Sequence, residues 1–120
     1  PFNPRLKTIE TVNNTPKVFN GDLTDAQVEA FKTQHRKSFA VEIKDGDEVH
    51  IGYFKRPTLE TLKAVTKVAK SDEVEAGKVM FDNCWLGGSQ ELRTDALLFM
   101  AVQKKLGEVL NGFQGLIKNL

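Results

Sequence analysis

Cysteine is almost absent from this chain, since Cys84 is the only one among 120 residues. A lone cysteine has no intramolecular disulfide partner and no second thiolate with which to hold a structural metal. A chain of this length buries roughly two-thirds of its unfolded surface, so it can fold without either kind of cross-link. The sequence therefore predicts one domain that folds in a reducing compartment.

Long apolar runs and an excess of charge of one sign are also lacking. The 17 basic and 16 acidic residues leave a formal net charge of +1, which excludes the dense basic field that binds phosphate backbones. No stretch approaches the ~20 apolar residues that span a bilayer, and residues 1–5 do not lead into the apolar part of a secretory signal. We expect a soluble protein with neither a nucleic-acid nor a membrane partner.

The residues of catalytic and metal sites are equally scarce. His35 and His50 are the only histidines, and neither belongs to a His-x-x-x-His, Glu-x-x-His or Cys/His cluster. Cys84 lies on an apolar helical face, where a thiol usually behaves as a small hydrophobic group. We therefore expect no enzyme, and no catalytic, cofactor-binding or metal-binding residues.

The ends of the chain differ in composition from its middle. Residues 1–22 hold three prolines and many Asn and Thr, which predicts an extended or partly disordered N-terminal arm. A short edge strand, or an arm docked on another subunit, remains open. Residues 23–111 form the expected single α+β domain, and residues 112–120 are expected to form a flexible apolar tail.

One antiparallel hairpin over about residues 38–56 is the clearest local pattern. Apolar and polar residues alternate with period two on both sides of Asp45-Gly46-Asp47, whose residue types tolerate the positive φ of a tight turn. Pro57 ends the second strand because it cannot donate to a ladder.

Four or so amphipathic helices account for most of the remaining chain, over about residues 25–37, 59–70, 72–86 and 90–111. Thr24 and Gln27 have the spacing of a capping box, Thr58 can cap the second helix, and Ser71 indicates a break and a new cap. The last helix starts after Ser89, or after Thr94 if the residues between form only a turn.

Large aromatic side chains near an apolar tail are typical anchors of protein interfaces. The residues expected to bind a protein partner are Tyr53, Phe54, Phe81, Trp85, Phe113 and Leu116. Phe81 and Trp85 are four residues apart on a predicted helix, so a place in the core stays open for both.

The order of these elements is informative. The predicted hairpin ends in Tyr53-Phe54-Lys55-Arg56-Pro57-Thr58, and helices with acidic first turns then lead to Cys84-Trp85-Leu86-Gly87-Gly88. In this arrangement the chain resembles the small tail assembly chaperones of long-tailed bacteriophages and prophages. The resemblance covers about residues 38–111 and leaves the arm outside it. The arm is longer than the family suggests, and the tail stops soon after the last helix, whereas some members have a longer form made by frameshifting.

The resemblance implies a non-enzymatic protein in the cytoplasm of a bacterial host cell. Its partners would be the long helical tape measure protein and the tail tube subunits that assemble around it. No cofactor is implied. A small domain with an accessible apolar groove could hold apart the amphipathic stripes of a tape measure chain before the tube covers them.

Two other functions compete with this expectation. A head-tail connector or tail-terminator subunit would form a ring, and the arm favours this function because ring proteins often exchange such segments, giving a homo-oligomer. A small enzyme or regulator would instead need a pocket where His50, Tyr53 and Asp82 converge.

Overall fold

The computed structural model describes residues 15–113 and 115–120. Four strands and five helices follow one another in this part of the chain. In order, they are β1 (Lys17–Phe19), α1 (Asp25–Gln34), β2 (Phe39–Asp45), β3 (Glu48–Phe54), α2 (Leu59–Ala69), α3 (Glu73–Cys84), β4 (Trp85–Gly88), α4 (Glu91–Thr94) and α5 (Ala96–Asn111). The predicted α+β fold is confirmed.

Strand β3 is the centre of a mixed sheet. The predicted hairpin supplies β2 and β3, which pair in antiparallel register from Phe39 opposite Phe54 to Asp45 opposite Glu48. The other edge of β3 is shared, because β1 pairs in parallel with its first half and β4 pairs antiparallel with its second half. The hairpin thus supplies two strands of a four-stranded sheet, and the other two strands, β1 and β4, come from outside the predicted hairpin.

The described part of the N-terminal arm belongs to this sheet. Lys17 lies opposite Glu48 and Phe19 opposite His50, so the edge-strand interpretation holds for residues 17–19. The predictions for residues 1–14 fall outside the described residues.

Several helix ends differ from their predicted positions for identifiable reasons. Helix α1 begins at the Thr24–Gln27 capping box but ends at Gln34, because His35 is extended and Lys37 has a φ of 57°. The N-cap of α3 is Asp72, whose carboxylate accepts from the backbone N–H of Glu75, and not Ser71. A carboxylate cap at an acidic first turn satisfies an otherwise unpaired N–H group.

The segment after α3 departs furthest from expectation. The predicted helix 72–86 ends at Cys84, because Trp85 is extended and enters β4. The predicted helix 90–111 is divided at Asp95, whose carboxylate accepts from the N–H groups of Leu97 and Leu98 and so begins α5. The alternative prediction, in which the residues after Ser89 form only a turn and the helix starts after Thr94, is close to this arrangement.

The core lies between one face of the sheet and the helices α3, α4 and α5. Its buried members are Val41, Ile43, Phe54, Met80, Phe81, Cys84, Leu92, Leu98, Val102 and Leu106. Helix α1 covers part of the opposite face, where the Phe31 and Tyr53 ring centroids are 5.9 Å apart. Among residues 15–113 and 115–120, no helix is long and apolar enough to cross a membrane.

Candidate functional site

A polar cluster around His50 interrupts the apolar face of the sheet. His50 lies opposite Ile43 on β3, and its side chain has no exposed surface. A ring buried this completely needs hydrogen-bond partners, because an unpaired buried polar group costs about 1–3 kcal/mol. The residues that supply them come from two separate parts of the chain.

Both ring nitrogens of His50 have partners. Nδ1 is 2.7 Å from the Ser89 Oγ, and Nε2 is 2.9 Å from the Glu48 Oε1. Nε2 is also 3.2 Å from the Glu91 Oε2. The imidazole is therefore held between one hydroxyl and two carboxylates.

Local folding fixes each of these side chains. Glu48 and His50 are two residues apart on one strand, so they point to the same face. The backbone N–H of Ser89 donates to the Ile51 carbonyl at 2.9 Å, which ties the loop before α4 to β3. Leu92 is fully buried and anchors α4, so the Glu91 backbone is fixed although its side chain is 62% exposed.

The Phe19 ring closes one side of the cluster. It stacks on the His50 ring with centroids 5.0 Å apart and planes inclined by 13°. A cavity of about 230 Å³ adjoins the cluster and is lined by Val18, Phe19, Asn20, Gly21, Asp22, Ser89, Gln90 and Glu91. One face of the His50 ring is thus covered by Phe19, and the cluster borders an open space.

Two chemical uses of this arrangement can be compared. A hydroxyl, an imidazole and a carboxylate in series have the order of a nucleophile, its base and an orienting acid. A nucleophile must reach its substrate, however, and Ser89 is only 4% exposed. Imidazole and carboxylate groups converging on one point also form a typical ligand set for a divalent metal ion.

The expected partner-binding aromatics divide between core and surface. Phe54 and Phe81 are 0% and 1% exposed and meet edge to face with centroids 5.3 Å apart. Trp85 is half-buried and stacks on Phe81 at 5.0 Å, and the Arg93 guanidinium lies 5.7 Å from the Trp85 ring centroid. The structure places Phe54 and Phe81 in the core, which leaves Trp85 as the accessible member of this cluster.

The other expected binding residues lie elsewhere. Tyr53 is half-buried beneath α1, whereas Phe113 and Leu116 are 61% and 88% exposed. The Arg56 guanidinium lies 5.0 Å from the Phe113 ring centroid, so the start of the tail rests at the end of β3. The six residues do not form one continuous site.

Open apolar surface is found on the helices as well. A shallow groove of about 540 Å³ along α2 is lined by Leu59, Leu62, Lys63, Thr66, Lys67 and Lys70. A second groove of about 280 Å³ lies between α3 and α5 and is lined by Glu73, Val74, Gly77, Phe99, Met100 and Gln103. Leu59, Val74 and Met100 are each at least 65% exposed.

The pocket required by a small enzyme or regulator does not form from the residues considered for it. His50 and Tyr53 are three residues apart on β3 and point to opposite faces of the sheet. Asp82 lies on α3 and accepts from the Arg93 guanidinium at 3.0 Å. These three side chains therefore do not converge.

Sequence reasoning passed over the cluster around His50. The short signal was Glu48-x-His50, a spacing that places both side chains on one face of a strand. Ser89 and Glu91 follow 39 and 41 residues later, and only the pairing of β4 with β3 brings them to the same place. No local spacing rule could have supplied that pairing.

Comparison with known proteins identifies no relatives. No family model matches the chain, and neither a curated protein nor a solved structure matches it.

Proposed function

We propose that this protein is a non-enzymatic tail assembly chaperone of a long-tailed bacteriophage or prophage. It would bind the tape measure protein in the cytoplasm of a bacterial host cell while tube subunits assemble around that protein. The proposal begins from the resemblance of residues 38–111 to this group. The observation that carries it is the amount of large apolar side chain left uncovered on a small domain.

The exposed side chains are concentrated at the C-terminus and on the helices. Phe113, Leu116, Ile117 and Leu120 are all at least 61% exposed, and the described helices add Leu59, Val74, Leu97 and Met100. Scattered exposed apolar residues are ordinary, but four within eight residues of a terminus are an uncommon concentration. Such a segment suits a partner that presents an apolar stripe.

The groove along α2 favours a partner that carries negative charge. Lys63, Lys67 and Lys70 line it together with Leu59 and Leu62. An amphipathic helix that inserts an apolar stripe between these side chains would place its polar flanks against the lysines. We infer that the bound segments of the tape measure protein carry acidic residues beside their apolar stripe.

The complex has to be reversible, because tube subunits must displace the chaperone. Interfaces of about 1,600 Å² in total are the standard size for stable complexes, and weaker encounters lie below about 1,200 Å². Shallow grooves and a short apolar segment are consistent with an interface below about 1,200 Å². A rapid exchange of partners would follow.

The test is affinity purification of the tagged protein from cells that express the complete replicon, followed by mass spectrometry. We expect a very long, helix-rich tail protein to be recovered with the wild-type chain. The double variant Leu116→Ser, Ile117→Ser should lose it, because both side chains are 88% or more exposed and carry the apolar contact.

A matched control changes two residues of the same tail but keeps its apolar side chains. The variant Lys118→Ser, Asn119→Ser changes two neighbouring polar residues and should retain the long partner. Recovery of portal or capsid proteins in place of the tail protein, or of no partner at all, would contradict the proposal.

A ring-forming connector or terminator subunit is the second candidate, and one observation favours it. Within the described residues, β2 pairs only with β3, so its outer edge presents free backbone groups. Such an edge can accept a strand from a neighbouring copy. Light scattering after size exclusion at micromolar concentration separates the two candidates, since a ring requires a stable species many times the 13.4 kDa chain mass.

A further inference from the structure

We propose that Glu48, His50 and Glu91 form a binding site for a divalent transition metal ion of the zinc class. The three side chains offer one imidazole nitrogen and two carboxylate oxygens, all within 4.8 Å of one another. This inference does not depend on the proposed assembly function.

The spacing of the donor atoms fits a single ion. Zinc lies about 2.1 Å from nitrogen and oxygen ligands, so two ligands at about 90–110° are separated by about 3.0–3.4 Å. The two distances from the His50 Nε2 to the carboxylate oxygens are 2.9 and 3.2 Å. The carboxylate oxygens of Glu48 and Glu91 lie within 4.8 Å of each other, so an ion between all three groups requires that these two side chains move together where the separation exceeds about 3.4 Å.

The second nitrogen of His50 has the partner that a metal ligand requires. A ligating imidazole usually donates its other N–H to an oxygen, which fixes the tautomer and directs the free lone pair to the metal. Ser89 Oγ lies 2.7 Å from Nδ1 and can accept this hydrogen bond. Nε2 is then left to face Glu48 and Glu91.

The negative charges at the site would also favour a bound cation. Glu48 and Glu91 bring two negative charges to one imidazole nitrogen, and the ion pairs of residues 15–113 include no lysine or arginine on either carboxylate. Lys17, which lies opposite Glu48 in the strand pairing, forms an exposed ion pair with Asp47 at the hairpin turn. A divalent ion would neutralise both carboxylates at once.

Room for further ligands is present. The adjoining cavity of about 230 Å³ reaches Glu91 and is lined by Asn20 and Asp22. A water molecule or one of these oxygen groups can complete a four- or five-coordinate ion. With one imidazole in the ligand set, we expect Zn²⁺ to bind more tightly than Co²⁺, Co²⁺ more tightly than Mn²⁺, and Mg²⁺ weakly.

The experiment uses the untagged full chain, freed of metal and titrated with Zn²⁺. Bound ion is measured by equilibrium dialysis with mass spectrometry, and Co²⁺ provides a visible spectrum that reports its coordination. We expect one ion per chain and a rise in the unfolding temperature with Zn²⁺, since a ligand of the native state stabilises it. Glu48→Gln and Glu91→Gln should each weaken binding at least tenfold.

Two controls separate this site from adventitious binding. Glu42→Gln changes an exposed strand glutamate, and His35→Gln removes the only other histidine. Both should bind Zn²⁺ as the wild type does. Ser89→Ala tests the positioning hydrogen bond and should weaken binding about tenfold while the Co²⁺ spectrum keeps its form.

Three results would overturn the proposal. They are an absence of binding to the wild type, unchanged affinity in both Glu48→Gln and Glu91→Gln, or loss of binding in His35→Gln. Because the two glutamate side chains are partly exposed, their variants fold even where a change at buried His50 does not.

Discussion

Cys84 shows how burial controls the chemistry of one side chain. Its thiol is 2% exposed at the end of α3, and its Sγ lies 3.8 Å from the Met80 sulfur. Burial raises the pKa of the Cys84 thiol above its ordinary value of 9.0, and the positive charge of Lys55 offsets only part of this increase. The group is a core residue, as its place on an apolar helical face predicted.

The Cys84 thiol should therefore be unreactive in the folded protein. An aromatic disulfide reagent at pH 8 should modify less than one thiol in ten within minutes in buffer, and all of it in denaturant, because only the exposed thiolate attacks. Absorbance of the released thiolate gives both values. Complete and rapid modification of the native protein would show that α3 opens locally.

The same pKa gives a pH dependence of stability. A thiol whose pKa is higher in the folded state holds its proton longer there, so the unfolded state binds fewer protons above pH 9. Cys84 therefore contributes a loss of stability as pH rises above that value. The chain with Cys84→Ala should lose less free energy of unfolding between pH 8.5 and 10 in denaturant titrations.

Gly88 is fixed by a close approach between two backbones. Its φ is 141°, and a Cβ there would lie 2.4 Å from the Ile51 carbonyl oxygen. The carbonyl of Gly88 in turn lies 2.2 Å from the position of a Cβ on Gly21. Neither neighbour is the movable end of a side chain, so the turn after β1, strand β3 and strand β4 can approach this closely only through glycine.

Replacing Gly88 with Ala should lower the free energy of unfolding by about 1–3 kcal/mol, the usual cost of imposed backbone strain. Urea denaturation followed by circular dichroism measures the change. A cost below about 0.5 kcal/mol would show that β4 can move away from β3.

At the level of elements, helix α5 contains a glycine that, unlike Gly88, has no close neighbour. Gly107 lies inside Ala96–Asn111, and a Cβ there would meet nothing within 4 Å. Alanine is favoured over glycine in a helix by about 1 kcal/mol. Gly107→Ala should thus raise the free energy of unfolding by about 0.5–1 kcal/mol in the same urea experiment, and a loss of stability would mean that the site needs the smaller residue.

The elements also show which features the sequence could predict. The hairpin, the Thr24 capping box and the Thr58 cap depend on residues at most a few positions apart, and each is present. The sequence predicts that residues 85 and 86 end a helix, because Trp85 and Leu86 continue the apolar stripe of α3, but both lie in strand β4. Its strand conformation depends on pairing with β3, a tertiary contact that overrides local preference.

The same division applies to the candidate sites. Exposed Phe113 and Leu116 follow from composition near a terminus, whereas the burial of Phe54 and Phe81 depends on how the sheet packs against α3. The sequence does not connect His50 with its partners Ser89 and Glu91, because these lie some forty residues away. Pairwise rules at short spacing cannot identify such a cluster.

On the scale of the whole molecule, the buried residues of the described part of the chain form one core, and Trp85, the single tryptophan, packs beside it. Trp85 stacks on Phe81 and meets Phe54 edge to face, so its fluorescence reports the contact between β4, β3 and α3. A domain with one core should unfold in a single cooperative step. We expect the urea midpoints from Trp85 fluorescence and from far-ultraviolet circular dichroism to coincide. Separate midpoints would show that one part of the domain unfolds before the other.

The parallel pairing of β1 with β3 also determines where the described chain enters the sheet. Lys17 donates its backbone N–H to the Asp47 carbonyl at 2.8 Å, so the chain enters the sheet beside the hairpin turn. Phe113 rests over Arg56, beyond the other end of β3. An extended chain from Glu48 to Arg56 covers about 27 Å, so Lys17 and Phe113 lie near opposite ends of β3. The distance between fluorescent labels at residues 15 and 113 would therefore report the length of the sheet.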